Sequence, residues 1–160
     1  TSLFRGTPVI VQLSLIYFGL PSIFIKFDVF TAGVIALAMN SGAYISEIIR
    51  AGINAVPKGQ TEAAKVLGIT PVMRMKDIIL PQAVKKITPA LINEFINLIK
   101  ESALISIIGA NDLMRRANIV SAEKYDFFMP MLTVALVYYF IVIVVSIFGV
   151  FIEKKYALEK

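Results

Sequence analysis

The sequence predicts an all-α integral membrane bundle, and three observations carry that prediction. Hydrophobic residues make up 58% of the 160-residue chain and charged ones only 17%, against about 45–50% and about 25% in soluble domains. The apolar residues gather in four long runs, each close to the ~20 residues that cross a bilayer core. The charges collect between those runs, and the mean hydropathy of the chain is +0.78. A soluble helical bundle would keep a polar face along every helix. The length fits one transmembrane domain over residues 1–160, with spans at about 7–25, 29–53, 87–108 and 130–152.

Taken in order, the first span opens at Thr7-Pro8, read as N-cap and first helical residue, and Gly19 and Pro21 loosen its far end. Gln12, Ser14 and Tyr17 within it read as ordinary helix–helix contacts. Lys26-Phe27-Asp28 is a polar break. The second span holds Ala32, Gly33, Ala36, Ala38, Ser41, Gly42 and Ala43, small residues that allow close helix approach in lipid. It turns polar at Glu47, Arg50 and Asn54. Gly59–Pro81 follows, the longest stretch a bilayer would reject. A short helix there carries Glu62-Ala63-Ala64, its carboxylate placed early where the helix dipole favours it. Gly68 reads as its C-cap, Thr70-Pro71 as a second helix start and Pro81 as its stop. Thr88-Pro89 reads as the cap and first residue of the third span. Gly109–Phe128 is a polar connection, and Pro130–Ile152 is the last and most apolar span, closed by Glu153-Lys154-Lys155.

Sidedness follows from Lys and Arg, which favour the cytoplasmic face. One side carries Arg5, Lys58, Lys65, Arg74, Lys76, Lys85, Lys86, Lys154, Lys155 and Lys160, and the other only Lys26, Arg115, Arg116 and Lys124. The first side is therefore cytoplasmic, with both ends of the chain and a loop at about 57–86. The absence of Cys and His removes disulfides, thiolate metal sites and the usual neutral-pH general base. No catalytic residue and no metal site is expected.

The third span carries the chemistry. At 100° per residue, Asn93, Glu94, Asn97, Lys100 and Glu101 share a stripe roughly 120° wide. Asn40, Tyr44 and Glu47 form a smaller cluster on the second span, within about 60°. Ionisable groups at bilayer depth cost at least a few kcal/mol unless paired or hydrated (about 3 on insertion scales), so they default to a functional reading. Two readings stand: a polar translocation path, or charges that pair with neighbouring helices and hold subunits together. Lys100, with its long stem, suits the second. The Gly59–Pro81 stretch likewise fits either another protein's groove or an anionic lipid surface.

Glu62-Ala63-Ala64, Gly68, Ile78 and Leu80-Pro81, at these spacings, resemble the EAA loop of permease subunits of binding-protein-dependent ABC importers. Arg5-Gly6-Thr7-Pro8 with Gln12, Tyr44–Glu47–Arg50, and Asn93-Glu94-Phe95 with Lys100–Ser102 are similar to the polar amino-acid subfamily. Glu101 departs from it, since members often carry an uncharged residue there. The resemblance covers nearly the whole chain. It implies the type I importer permease bundle, of which four spans are legible, with a fifth expected on the N-terminal side. It also implies a second permease subunit, identical or homologous, two cytoplasmic ATPase subunits and an extracytoplasmic solute-binding protein, in the cytoplasmic membrane of a prokaryote. Glu62, Ala63, Ala64, Gly68, Thr70, Pro71 and Arg74 would contact the ATPase. Asn40, Tyr44, Asn93, Glu94, Asn97 and Glu101 would meet the substrate. No cofactor belongs to the chain itself: Lys58-Gly59-Gln60-Thr61 is only a partial echo of a P-loop, so ATP falls to the partner. A net negative stripe favours a polar, basic amino acid as cargo. The rival is an ion-coupled secondary carrier with Glu94, Lys100 and Glu101 as a proton relay.

Overall fold

The computed structural model describes residues 2–158, and among them the fold is all helix. A short helix α1 (Ser2–Gly6) precedes α2 (Val9–Ser14), which continues as a π-helical stretch (Leu15–Gly19) and a 3-10 turn (Leu20–Ile23). Then come α3 (Val29–Asn54), α4 (Lys58–Val66) and α5 (Pro71–Met73). A π-helical stretch (Arg74–Ile79) leads from α5 without a break into α6 (Leu80–Glu101), which ends in a 3-10 segment (Ser102–Ile108). Helix α7 (Leu113–Lys124) precedes α8 (Phe128–Leu158). Among the described residues two helices are long and apolar enough to cross a membrane, Val29–Asn54 and Phe128–Lys154, and Val9–Ile23 is a shorter apolar one.

Helix α3 is the hub, packing on α1, α2, α6 and the Ser102–Ile108 segment. Its Ala32, Ala36, Asn40 and Ala43 are buried, and their spacing of three to four residues lays them along one seam. The packing forms two small apolar cores. One joins Leu13, Ala32, Ala36 and Ile108. The other joins Val56, Ile79, Ala83 and Ile87 near the far end of α3. There the α3 backbone comes so close to α6 that a Cβ on Gly52 would lie 2.1 Å from Ile87 Cγ1. The Lys86 ammonium reaches across to the Ala55 carbonyl, where a cation also meets the negative end of the α3 dipole.

Three expectations at helix boundaries need correction. Pro81 does not stop a helix, and Thr88-Pro89 does not start one: the helical run from Pro71 to Ile108 passes through both prolines. Pro89 lies inside α6 and the Thr88 hydroxyl donates to the Val84 carbonyl within the same helix. A proline ring clashes with the carbonyl four residues back, and the wider turns of Arg74–Ile79 open the helix just before Pro81. The same arrangement recurs at Leu15–Gly19 before Pro21. At Thr7-Pro8 the cap is Pro8 in an extended conformation, while the Thr7 hydroxyl turns back to the Leu3 carbonyl. The connection expected at Gly109–Phe128 contains a full helix, α7, capped by the Asp112 carboxylate, which accepts from the Arg115 N–H at 3.0 Å.

The stretch from Lys58 to Ile79 follows its local signals more closely. Gly68 ends α4 at φ +72°, donating from its N–H to the Lys65 carbonyl while Ile69 donates to Ala64, the left-handed closure that glycine adopts without a Cβ penalty. Thr70 caps the next helix, accepting from the Met73 N–H at 3.3 Å, with Pro71 in its first turn. Asp28 does the same for α3, accepting from the backbone of Phe30 and Thr31 and from the Thr31 hydroxyl. The Thr31 hydroxyl, followed by the Thr31 N–H, holds the Asp28 carboxyl below its ordinary value.

Candidate functional site

The polar residues of α6 divide along the length of the stripe. Glu94 and Glu101, at its 80–100° edge, are half-buried, while Asn93, Asn97 and Lys100 are exposed. The Ser41 hydroxyl on α3 donates to Glu94 Oε1 at 2.7 Å, between small residues that let the two helices approach. Glu101 borders a cavity of about 350 Å³ whose other walls include Arg5, Thr7, Pro8, Asn40 and Tyr44. Five elements of the chain therefore define one polar chamber: α1, the α1–α2 turn, α2, α3 and α6. It brings together Asn40, Tyr44 and Glu101, and places Glu94 beside them on Ser41. Asn93 and Asn97 face outward, away from this chamber.

The wall opposite Glu101 is built from amides. The Asn40 Nδ2 donates to the Phe4 carbonyl at 3.1 Å and to Gln12 Oε1 at 3.4 Å. Gln12 Nε2 in turn donates to Phe4 O at 2.7 Å, Thr7 O at 3.0 Å and Thr7 Oγ1 at 2.9 Å. Both side chains are buried, and in a low-dielectric interior such a satisfied network fixes geometry more firmly than its bonds would in water. Gln12 is thus a true interhelical contact, while Ser14 satisfies itself on the Ile10 carbonyl of its own helix. With its amide donor committed, Asn40 keeps its carbonyl oxygen as the polar group free to face the chamber.

Charge at the chamber is set by α1 and the C-terminal half of α3. Arg5 pairs with Glu47 at 2.9 Å, and Arg50 pairs with the same carboxylate at 2.5 Å. Two guanidiniums on one carboxylate remove Glu47 from the negative field that the sequence pattern assigns to it, and leave Glu101 as the carboxylate lining the cavity. Arg5, Ser41 and the Gln12–Asn40 bond are the members that sequence reasoning missed as site groups. Arg5 had a signal, its place in Arg5-Gly6-Thr7-Pro8, whereas Ser41 was read only as a small residue. Among the described residues Lys100 makes no ion pair within the chain. No group of carboxylates among them could hold a metal ion.

The Lys58–Ile79 region lies at the opposite end of α6 from Glu101. Ala64 is buried, while Glu62 and Ala63 are exposed. α4 packs on the Arg74–Ile79 turn. Val66, Leu67, Val72, Met73 and Met75 are all exposed around the tip, and Arg74 is half-buried beneath them.

Residues 1–158 match the family of binding-protein-dependent transport system inner membrane components. The chain belongs to that family. Its relatives include a "Putative glutamine transport system permease protein GlnP" of Rickettsia typhi, 62% identical over 97% of this chain and 72% of that protein. The arginine transport system permease protein ArtQ of Bacillus subtilis is 50% identical over 97% of this chain and 71% of its own length. Among solved structures, the crystal structure of an amino acid ABC transporter with histidines superposes with a TM-score of 0.90 at 49% identity, covering 96% of this chain and 72% of that one. An inward-facing MetNI methionine ABC transporter shares the fold, with a TM-score of 0.80 at 22% identity over 96% of this chain and 71% of that one. The resemblance carried by the loop motif is thereby borne out, and the fold is that of a type I importer permease. As an inner membrane component of this family, the chain is a permease subunit of an ABC importer.

Proposed function

We propose that this permease subunit translocates a polar, basic amino acid across the cytoplasmic membrane of a prokaryote, through the chamber between α1, α2, α3 and α6. The observation that carries the reading is the convergence of Glu101, Asn40, Tyr44 and Arg5 on one cavity of about 350 Å³, a volume suited to a single amino acid. Glu101 supplies a carboxylate for an ammonium or guanidinium, and the Asn40 carbonyl and Tyr44 hydroxyl supply neutral polar contacts. Arg5 offers a guanidinium to an α-carboxylate. Glu94 lies one further step along α6, engaged by Ser41, and Asn93 and Asn97 stand on the outward face of α6, where a second permease subunit would complete the path. The relatives named for glutamine and for arginine support an amino-acid cargo. Arg5 and Arg50 together leave one positive charge over Glu47, and Glu101 with Glu94 sets two carboxylates against it, which favours the basic one.

The spans at about 7–25, 29–53, 87–108 and 130–152 cross the bilayer in this reading, and the loop at about 57–86 faces the cytoplasm. ATP is bound and hydrolysed by separate ATPase subunits that dock on Glu62, Ala63, Ala64, Gly68, Thr70, Pro71 and Arg74. The exposed Val66, Leu67, Val72 and Met73 support this docking, because an apolar knob ringed by charge suits a protein groove. A solute-binding protein delivers the cargo from the opposite side.

The test is uptake of labelled arginine and glutamine by the transporter reconstituted with its ATPase and binding protein. Glu94→Gln and Glu101→Gln should lower arginine uptake about tenfold or more while sparing glutamine, in line with roughly 1.5–3 kcal/mol for a hydrogen bond to a charged group. Unchanged arginine uptake in both variants rejects the basic cargo. Uptake abolished by an uncoupler and indifferent to the ATPase would instead support the ion-coupled carrier.

A further inference from the structure

Between α7 and α8, at the end of the bundle remote from the Lys58–Ile79 loop, lies a second cleft of about 380 Å³. Its floor is apolar, formed by Leu113 and Val120 of α7 with Met129 and Val134 of α8. Its rim carries Arg116 and Lys124. Among the described residues neither of these side chains has a hydrogen bond or ion pair. Asp126 also lines the cleft; its Oδ1 caps α8, accepting from Phe128 N at 2.9 Å and Met129 N at 3.5 Å, and its single negative charge offsets only one of the two cations. The rim therefore keeps a net positive charge over an apolar floor. We propose that this cleft binds an anionic phospholipid, with the phosphate between Arg116 and Lys124 and the acyl chains running down α8.

Two further features of the same end identify the occupant as lipid. Tyr125 stands 98% exposed beside the cleft, and tyrosine is enriched at the headgroup level of a membrane; Phe127 and Phe128, 69% and 67% exposed, extend the apolar surface next to it. Along the same face of α8, Val137, Ile141 and Val144 follow Pro130 and Val134 at spacings of three to four residues and are exposed, an apolar track leading away from the cleft. A soluble anion would have no use for that track, whereas a phospholipid uses both the charged rim and the apolar wall. Arg115 supplies a built-in control. Its guanidinium turns back toward the Gly109 turn, 3.9 Å from where a Cβ of Gly109 would lie, and it does not line the cleft.

The experiment uses the assembled transporter, purified with its partner subunits, delipidated, and titrated with phosphatidylglycerol or phosphatidylcholine while bound lipids are counted by native mass spectrometry. Phosphatidylglycerol should bind in preference to phosphatidylcholine. With each cation near a membrane surface worth about a fivefold change, Arg116→Gln combined with Lys124→Gln should weaken phosphatidylglycerol binding roughly thirtyfold. Arg115→Gln should leave it unchanged, and the charge-preserving Arg116→Lys with Lys124→Arg should retain most of it, so the proposal stays testable even if the neutral double variant fails to assemble. Equal binding of the two lipids, or retention of phosphatidylglycerol by the neutral double variant, overturns the proposal. So does an equal loss in Arg115→Gln. Loss of solute-binding-protein docking in the double variant with lipid binding intact would assign the cleft to a protein and overturn it as well.

Discussion

Helices α3 and α8 are both long and apolar, yet they meet their surroundings in opposite ways. The most apolar window of α3 has a mean hydropathy of 1.4 and is 33% buried within the chain, while that of α8 reaches 2.7 and is 6% buried. Lipid tails are as apolar as leucine, so helices in a bilayer gain little by hiding leucine from them. They associate through close backbone approach and polar links, and α3 has both: the small-residue seam at Ala32, Ala36 and Ala43, and the bonds from Asn40 and Ser41. Helix α8 meets α6 closely at Gly149, whose Cβ position lies 2.5 Å from Ile92 Cγ2, packs on α7 with Val134 buried, and elsewhere shows most of its large side chains outward. In this fold lower hydropathy marks the helix that packs. The helix that looks most membranous contributes least to the core.

Substitutions can break that contrast or sharpen it. The largest effect is expected at Gly52, where alanine would force Ile87 and α6 away; overpacking of this kind costs about 1–3 kcal/mol, read as a fall in the melting temperature of the purified transporter. Gly42→Ala on the same helix meets nothing within 4 Å and should instead be neutral or stabilising by up to about 1 kcal/mol. If the two behaved alike, contact would not be what holds α3. Next comes Ser41→Ala, which strips Glu94 of its donor and should cost about 1 kcal/mol or somewhat more. Ser41→Thr, retaining the hydroxyl, tests whether the hydrogen bond or the space matters.

A smaller effect, with a pH signature, is expected at Asp28. Its folded-state carboxyl is held below the ordinary value by the Thr31 hydroxyl and backbone N–H groups. The cap therefore contributes stability that is fully present above the unfolded-state value, and that is lost as pH falls through the lower folded-state value. Thermal melts of wild type and Asp28→Asn should draw together as pH falls below the ordinary carboxyl range. Parallel curves would remove the cap from the account. The smallest effect belongs to α8: Ile147→Ala, on a residue 67% exposed, should stay within about 0.5 kcal/mol. A large loss there would show that a neighbouring subunit covers the helix in the assembled transporter.

The parts of the fold that were legible in the sequence are those set by neighbours in the chain. Gly68 and Thr70-Pro71 act through their own backbone and their caps could be read directly. The prolines of α6 could not. Pro81 and Pro89 have the local signature of helix stops, and only a wide turn upstream and packing of Ala83 and Ile87 against α3 keep the helix running through them. Helix α7 was concealed for a related reason, since its polar composition resembles a connection and its apolar face, Leu113, Ala117 and Val120, is short. At the chamber, Asn40, Tyr44 and Glu101 were found because polar groups are conspicuous in apolar spans. Arg5 and Ser41 were not, because their part depends on which helix lies opposite, and that is a tertiary fact.

The continuous run from Pro71 through Glu101 has a mechanical consequence. At 1.5 Å per residue it is a rod of roughly 45 Å, with no loop along its length to act as slack. A displacement applied at Val72 or Met73 must reappear at Glu101 as translation or torsion of the whole rod, less whatever the wide turn at Arg74–Ile79 absorbs. Bending of the rod concentrates at two places, the wide turn at Arg74–Ile79 and Pro89 inside α6, where helix hydrogen bonding is interrupted.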